Sequence, residues 1–421
     1  MGESKFIRIC LHTHGCKLNQ AESESIALQL AGFGYAVTDD SPADVMVLNT
    51  CTVTHVADRK ARQWLRQARR QSPNSLIIVT GCYAERAAPE LKRLGADLVC
   101  GNRDKANLAQ MIAERLGNDA HNNTDNAPQP RFRTRSFIKI QDGCHGSCAY
   151  CIVPRIRHDV YSRPPDQVVA EINHRIAMGY KEVVLTGTEI GIYNHQTVNL
   201  AGLIRRILNE TSLERLHLSS LQPGQITAEM LSSWQDPRLA RHFHVALQSG
   251  CDATLAAMKR SYSTNTYRQT LAMIREYVPD AGITTDLIIG FPGESDRHFA
   301  ESCAFVEACG FSTVHVFPFS PRPETAAAGM PQQVPVSIKR ERTLKALSLA
   351  RNTARKFREN MISSVQRILW ETETLPGSGI YSGLTSNYLR VFAKSERSIT
   401  NMFLPARLVG YASNGLWGEL V

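Results

Sequence analysis

The sequence predicts an α/β chain in three parts: an amino-terminal parallel α/β domain, a central partial (β/α)6 barrel and a small carboxyl-terminal β-barrel. Three observations carry this reading. Short apolar runs ending in small polar residues alternate with helical periodicities, the pattern of parallel strands joined by crossover helices. A stretch without periodicity interrupts that alternation at residues 117–130. After residue 360 the pattern changes to short β-like segments punctuated by Gly, Ser and Asn.

In the first part FIRICLHTHGC (6–16), ADVMVLNTC (43–51) and NSLIIVTGC (74–82) each read as a strand that delivers a cysteine to its carboxyl end. Parallel α/β sheets bind ligands beyond that edge, so Cys16, Cys51 and Cys82 are expected to converge there. Small cysteines also fill sheet cores without any function, but these three end strands rather than lie within them. GNDAHNNTDNAPQP (117–130) reads as a linker. A second βα series follows: SFIKIQDGC, KEVVLTGTEIGIY (181–193), RLHLSSLQP (215–223), HFHVALQSG (242–250), GITTDLIIGFPGE (282–294) and FSTVHVFPFSPR (311–322). Six units suit a partial barrel, with its active site at the carboxyl ends of the strands. QRILWE, GLTSNYLRVFA and ARLVGYASNGLWGELV complete the chain as a small β-barrel. The expected divisions are residues 1–117, a linker at 118–130, residues 131–360 and residues 361–421.

The chain has 421 residues, 43% of them hydrophobic, enough to bury large cores in two or three domains. Eleven cysteines in such a length do not make a disulfide-stapled scaffold, and MGESKFIRICLH lacks the apolar centre of an export signal. The expected compartment is a reducing cytoplasm, where clustered cysteines hold metal or react. No apolar run reaches the roughly 18 residues of a membrane span.

A net charge of +9 points to an anionic partner. DRKARQWLRQARR (58–70) carries six basic residues and SIKRERTLKALSLARNTARKFREN (337–360) eight. Either run alone reads as the solvated face of a helix. Together with RFRTR (131–135) they favour a nucleic acid over a membrane surface. Residues 361–421 are close to balanced, with five Lys or Arg against four Glu.

DGCHGSCAYCIVPR (142–155) places Cys144, Cys148 and Cys151 at C-x3-C-x2-C spacing. A structural zinc site wants four closed ligands, so zinc would need His145 or His158 as well. A [4Fe–4S] cluster held by three thiolates keeps one iron open to a small molecule. The spacing, on the loop after the first barrel strand and with Tyr150 before the third cysteine, resembles the radical S-adenosylmethionine (SAM) superfamily. That resemblance implies SAM chelating the open iron and cleaved to a 5′-deoxyadenosyl radical. It also implies SAM contacts along successive strand ends, here Gly187, Thr188 and Glu189, then Ser219 and Ser220, then Gln248 and Ser249, then Gly290 and Glu294. Each alone is ordinary loop chemistry; their order along the strands is the signal.

With THGCKLNQAES (13–23), NTCTVTHVADRK (49–60), TGCYAE (80–85) and GLTSNYLRV (383–391) added, the chain resembles the methylthiotransferase family over nearly its whole length. Such enzymes join a three-cysteine amino-terminal domain to a radical SAM barrel and an RNA-binding TRAM barrel. The residues around Cys16, Cys51 and Cys82 look most like the threonylcarbamoyladenosine tRNA subfamily. The resemblance implies a second [4Fe–4S] cluster on Cys16, Cys51 and Cys82, and two SAM molecules per turnover, one as methyl donor and one as radical source. It further implies methylthiolation at C2 of the modified adenosine beside the anticodon, with tRNA, a low-potential electron donor such as flavodoxin or ferredoxin, and a sulfur donor as partners. Arg322 in SPRPETAA is a candidate for contact with the modified base. Isopentenyladenosine in tRNA, a ribosomal-protein aspartate, and a zinc-containing RNA-binding protein without catalysis stand as alternatives.

Overall fold

The computed structural model describes residues 7–116 and 134–421; the linker expected at 118–130 lies outside the described residues. The chain forms two compact units, one containing residues 7–116 together with Asp142–His145 and Cys151–Val160, the other holding the remainder of the described chain.

The first unit runs β1 (Arg8–Thr13), α1 (Lys17–Gly32), β2 (Ala36–Thr38), β3 (Val45–Thr50), α2 (His55–Gln71), β4 (Leu76–Gly81), α3 (Cys82–Arg93), β5 (Leu98–Cys100) and α4 (Leu108–Leu116). Its strands lie in the order β2-β1-β3-β4-β5, and all pairs are parallel. Val45, Val47 and Ile78 face Ile26, Leu30, Leu108 and Ile112, while the alternate residues Met46, Leu48, Ile77 and Val79 face Ala61, Leu65 and Leu91. Both faces are therefore covered by helices, which explains the uninterrupted apolar runs. The strand order is the flavodoxin-like one, whose switch point between β1 and β3 forms a crevice at the carboxyl edge.

β6 (Arg135–Asp142) leads into the cysteine loop and α5 (Val153–Ile156). The second unit continues with β7 (Tyr161–Ser162), α6 (Pro165–Ala177), β8 (Glu182–Gly187), the short strands β9 (Asn194–His195) and β10 (Val198–Asn199), α7 (Leu200–Glu210), β11 (Arg215–Leu218), β12 (Ser220–Leu221) and α8 (Ala228–Leu231). Next come β13 (His242–Val245), α9 (Asp252–Ala257), α10 (Thr264–Tyr277), β14 (Gly282–Ile289), α11 (Asp296–Cys309), β15 (Thr313–Pro318) and α12 (Val336–Glu359). Two arcs, β11-β8-β6-β7 and β12-β13-β14-β15, supply the six long strands of a partial barrel, and within each arc the long strands pair in parallel. Ile138, Val183, Leu185, Phe243, Val245, Ile283 and Leu287 pack outward against the helices. The alternate positions, including His217, His244, Thr284 and Asp286, face inward, as the two-residue period of a strand requires.

Five further strands, β16 (Val365–Glu373), β17 (Ile380–Leu384), β18 (Arg390–Lys394), β19 (Phe403–Ala412) and β20 (Gly415–Leu420), close into a barrel around Ile368, Trp370, Val391, Leu408 and Leu416. This small barrel belongs to the second unit. Tyr388, from the GLTSNYLRV segment, accepts a hydrogen bond from Arg135 Nη1 (3.2 Å), donates to Glu182, and lies 4.0 Å, centroid to centroid, from the His217 ring. Arg215 Nη1 donates to Leu384 O (3.1 Å), and Arg135 pairs with Glu371 at 2.9 Å. Arg135, Glu182, Arg215 and His242 each open a strand, so the small barrel seals the amino-terminal mouth of the large one, opposite the end where parallel barrels carry chemistry. The motif that resembles an RNA-binding signature is spent on this interface.

Candidate cofactor and active site

Cys51 and Cys82 follow directly on β3 and β4, and Cys16 follows β1 after His14 and Gly15. The three strands are neighbours in parallel register, which brings the cysteines to the same switch-point edge, where Cys16 and Cys82 both act on Cys51. Glycine makes the approach possible. Gly15 has φ +136°, and a Cβ there would sit 2.8 Å from Cys51 Cβ; Gly81 has φ +96°, and its Cβ would meet Thr50 O at 2.4 Å. A side chain at either position would clash in a backbone region that L residues avoid.

Cys16 occupies the N-cap of α1 and Cys82 the first turn of α3, neither with a side-chain cap. Both residues thus lie at the amino-terminal end of a helix. By contrast, Thr54 caps α2, accepting from Ala57 N at 3.2 Å. Buried Asn19 braces the trio: it accepts from Cys16 Sγ (3.2 Å) and donates to Thr50 O (2.7 Å). Val53 N donates to Cys51 Sγ (3.5 Å). Burial and the neighbouring Cys16 push the Cys51 thiol up to about 12, so a bound cation must displace its proton.

The cysteine loop is anchored on both sides. Cys144 N donates to Arg157 O at 3.1 Å within the first unit. In the second unit, Ala149 N donates to Met258 O (3.0 Å), its carbonyl accepts from Ala327 N (2.8 Å), and Tyr150 meets Phe291 edge-on at 6.5 Å. Arg260 Nη1 donates to Cys148 Sγ (2.9 Å), Nη2 to Gln222 Oε1 (2.7 Å) and Nε to Tyr262 Oη (3.1 Å). Gln222 and Gln225 each donate to Glu189 Oε1 at 2.7 Å, and Glu189 N donates to Gln141 Oε1 at 2.7 Å. A hydrogen-bonded chain therefore runs from a cysteine of the loop to Glu189, one of the residues expected to touch SAM.

Gly187 and Thr188 lie half-buried beside it. Ser219 is buried after β11, whereas Ser220 is exposed. Gln248 holds φ +66°, uncommon for a residue with a side chain, fixed by Gln248 N to Asp286 O and Ile288 N to Gln248 O, 2.9 Å each. Two expected residues are engaged elsewhere. Ser249 Oγ pairs with Ser302 Oγ of α11 at 3.1 Å. The buried Glu294 carboxylate accepts from Gly290 N (3.0 Å) and Arg342 Nη1 (2.8 Å), tying the strand end to α12. Arg322 is 1% exposed, too deep for a surface turn.

Inside the barrel, His244 donates or accepts at Thr284 Oγ1 (2.9 Å) and lies 3.2 Å from Asp286 Oδ2; together with His315 these offer three polar atoms within 4.8 Å of one another.

Sequence reasoning missed Asn19, Arg157 and Arg260. Asn19 sits within the GCKLNQ motif, three residues after a cysteine and ahead of a helix, a signal for a side chain that folds back on the ligand. Arg157 and Arg260 carry no such mark, being single arginines among several.

The two basic helices also differ. On α2, Arg62 and Arg69 pair with Glu90 and Asp97, while Arg59, Lys60, Arg66 and Arg70 are exposed and take part in no ion pair among the described residues. On α12, Arg342 is buried against Glu294, and Lys345, Arg355 and Lys356 pair with Glu341, Glu359 and Glu307. Trp64 packs into the core beneath α2 and stacks on His12 at 5.7 Å.

Comparison with known proteins gives this geometry its context. An "Uncharacterized protein family UPF0004" matches residues 8–101, and the "Radical SAM superfamily" matches residues 138–306. The threonylcarbamoyladenosine tRNA methylthiotransferase of Thermotoga maritima is 34% identical over 399 residues, 92% of this chain and 91% of that protein. The chain belongs to the radical SAM tRNA methylthiotransferases. Another tRNA-modifying relative, the tRNA-2-methylthio-N(6)-dimethylallyladenosine synthase of Endomicrobium trichonymphae, is 30% identical over 98% of this chain and 99% of its own. In fold, the methylthiotransferase is similar to the radical SAM methyltransferase TsrM from Kitasatospora setae, with TM-score 0.57, 15% identity and 77% of each chain covered. Family membership sets aside both the ribosomal-protein substrate and the zinc-protein reading. The family's cofactors are SAM and two [4Fe–4S] clusters, and the donor chemistry fits: the chain supplies two sets of three soft thiolates, each one short of the four ligands a closed zinc site needs. Among the described residues no helix is long and apolar enough to cross a membrane.

Proposed function

We propose that this enzyme adds a methylthio group to C2 of N6-threonylcarbamoyladenosine next to the anticodon of tRNA. The observation that carries the reading is the presence of two separate three-cysteine sets in one chain, one at a sheet's switch point and one on a barrel loop. Cys16, Cys51 and Cys82 would hold one cluster, and Cys144, Cys148 and Cys151 the other. When bound, the clusters and SAM supply the methyl group, the sulfur and the 5′-deoxyadenosyl radical that removes hydrogen from carbon.

The chain's own residues orient and shield. Arg260 fixes the Cys148 sulfur and, through Gln222, the Glu189 carboxylate. Gly187, Thr188, Ser219, Gln248 and Gly290 line the strand ends where SAM is expected to lie. Ser249 and Glu294 hold those ends in place through α11 and α12.

The threonylcarbamoyl group carries a carboxylate and a hydroxyl, whereas an isopentenyl group is apolar. The inward-facing His244, Asp286 and His315 favour the polar substituent, since they offer hydrogen-bonding groups that a carboxylate and a hydroxyl can meet and an isopentenyl chain cannot. Arg322 is assigned to contact with the modified base. A low-potential electron donor such as flavodoxin or ferredoxin, a sulfur donor and a cytoplasmic setting complete the proposal. The test is nucleoside mass spectrometry of tRNA after anaerobic incubation with SAM and reductant. The expected product is 2-methylthio-N6-threonylcarbamoyladenosine; 2-methylthio-isopentenyladenosine would overturn the substrate assignment.

A further inference from the structure

Arg157 follows the cysteine loop in sequence, six residues after Cys151, and within the first unit it touches one residue of each set, Cys82 and Cys144. Its side chain is 3% exposed. The guanidinium grips Glu22 of α1 with both ends, Nη1 to Oε1 at 2.8 Å and Nη2 to Oε2 at 3.0 Å. Nη1 also donates to both Asp142 oxygens at 2.8 Å, and Nη2 to Asn102 Oδ1 at 3.2 Å. The remaining donor, Nε, points to Cys82 Sγ at 3.5 Å. On its backbone side, the carbonyl of the same residue accepts from Cys144 N at 3.1 Å.

A buried arginine with this many partners has no rotamer freedom left, so the Nε direction is fixed by Glu22 and Asp142. The nearby charges are Arg157 and Lys105 against Glu22 and Asp142, and Lys105 pairs with Glu22. These four balance in formal charge, and the directed contact that reaches the Cys82 sulfur is the N–H aimed at it. Hydrogen bonds to ligand sulfurs favour the more negative, reduced state of an iron–sulfur centre and raise its potential.

We propose that Arg157 is a positioning residue that sets the reduction potential of the Cys16/Cys51/Cys82 centre and fixes the loop bearing Cys144 to the same guanidinium scaffold. The inference rests on the reading that this trio holds a cluster. Cys82 is thereby distinguished from Cys16 and Cys51, whose sulfurs meet an amide oxygen and a backbone N–H instead.

The test uses the full chain carrying Cys144→Ala, Cys148→Ala and Cys151→Ala, reconstituted anaerobically so that only the trio's centre remains. Iron content and the reduced-state electron paramagnetic resonance spectrum establish that it is present. Should this parent hold no iron, the cluster assignment fails, and the failure is separate from that of the Arg157 role. In redox titration Arg157→Gln is expected to shift the midpoint to a more negative potential with four irons retained. Arg157→Lys, which keeps the charge but cannot hold the fork, should fall between the two. If the Gln variant does not retain iron, the Lys variant decides alone. A midpoint equal to the parent's in whichever variants retain iron would overturn the proposal and leave Arg157 a purely structural residue.

Discussion

The two cysteine sets reach the same chemistry by opposite routes. Cys16, Cys51 and Cys82 are far apart in the chain and meet because three parallel strands end in register. Cys144, Cys148 and Cys151 are neighbours on one loop and need only anchors, supplied by Arg157 O, Met258 O, Ala327 N and Arg260. The first set thus depends on the topology of a whole sheet, the second on local hydrogen bonds. A fold-weakening change should hurt the first set before the second, while a change in Arg260, which donates to Cys148 of the loop, should hurt only the second.

The largest effect expected is a clean exchange of functions. The wild-type chain should carry about eight irons, and Cys51→Ala and Cys148→Ala about four each. Cys148→Ala should abolish SAM cleavage, measured as 5′-deoxyadenosine; Cys51→Ala should retain cleavage and lose methylthiolated nucleoside. Cleavage surviving in Cys148→Ala would dissolve the distinction between the sets.

A smaller effect should follow from the glycine before Cys82. Gly81→Ala places a methyl group against Thr50 O in a left-handed conformation, at a cost of about 1–3 kcal/mol. In anaerobic denaturant titration the first unit should unfold earlier, and iron should fall toward four with the loop centre kept. Unchanged stability would show that the trio does not rely on this close approach.

The smallest effect concerns RNA and turns on the two basic helices. Replacing Arg59, Lys60, Arg66 and Arg70 of α2 by Ala should weaken tRNA binding roughly ten-fold and flatten its salt dependence. Replacing Arg355 and Lys356 of α12 should change the affinity less than about two-fold, since their charges already meet Glu359 and Glu307. Equal losses from both helices, read by filter binding across a salt series, would mean that ion pairing does not decide which helix holds RNA.

Much of this was legible in the sequence because it depends on local rules. The apolar runs announced parallel strands, and the placement of Cys16, Cys51 and Cys82 at their ends announced a shared edge. Composition also separated the small carboxyl-terminal barrel from the large one. Charge counting went less far. It could not distinguish α2 from α12, because whether an arginine is available depends on glutamates brought near it by folding.

What only the tertiary structure decided are the partners of single side chains. Ser249 and Glu294 lie on the loops that follow β13 and β14, yet their groups are bound to Ser302 and Arg342. Tyr388, read as part of an RNA-binding signature, closes the barrel mouth with Glu182 and Arg135. Arg157 and Arg260 carry no distinguishing spacing, and only folded coordinates place one on Cys82 and the other on Cys148. The physical reason is common to all of them. Periodicity and spacing follow from backbone geometry, which each segment expresses by itself, whereas a hydrogen bond between distant residues exists only once the chain has brought donor and acceptor within about 3 Å.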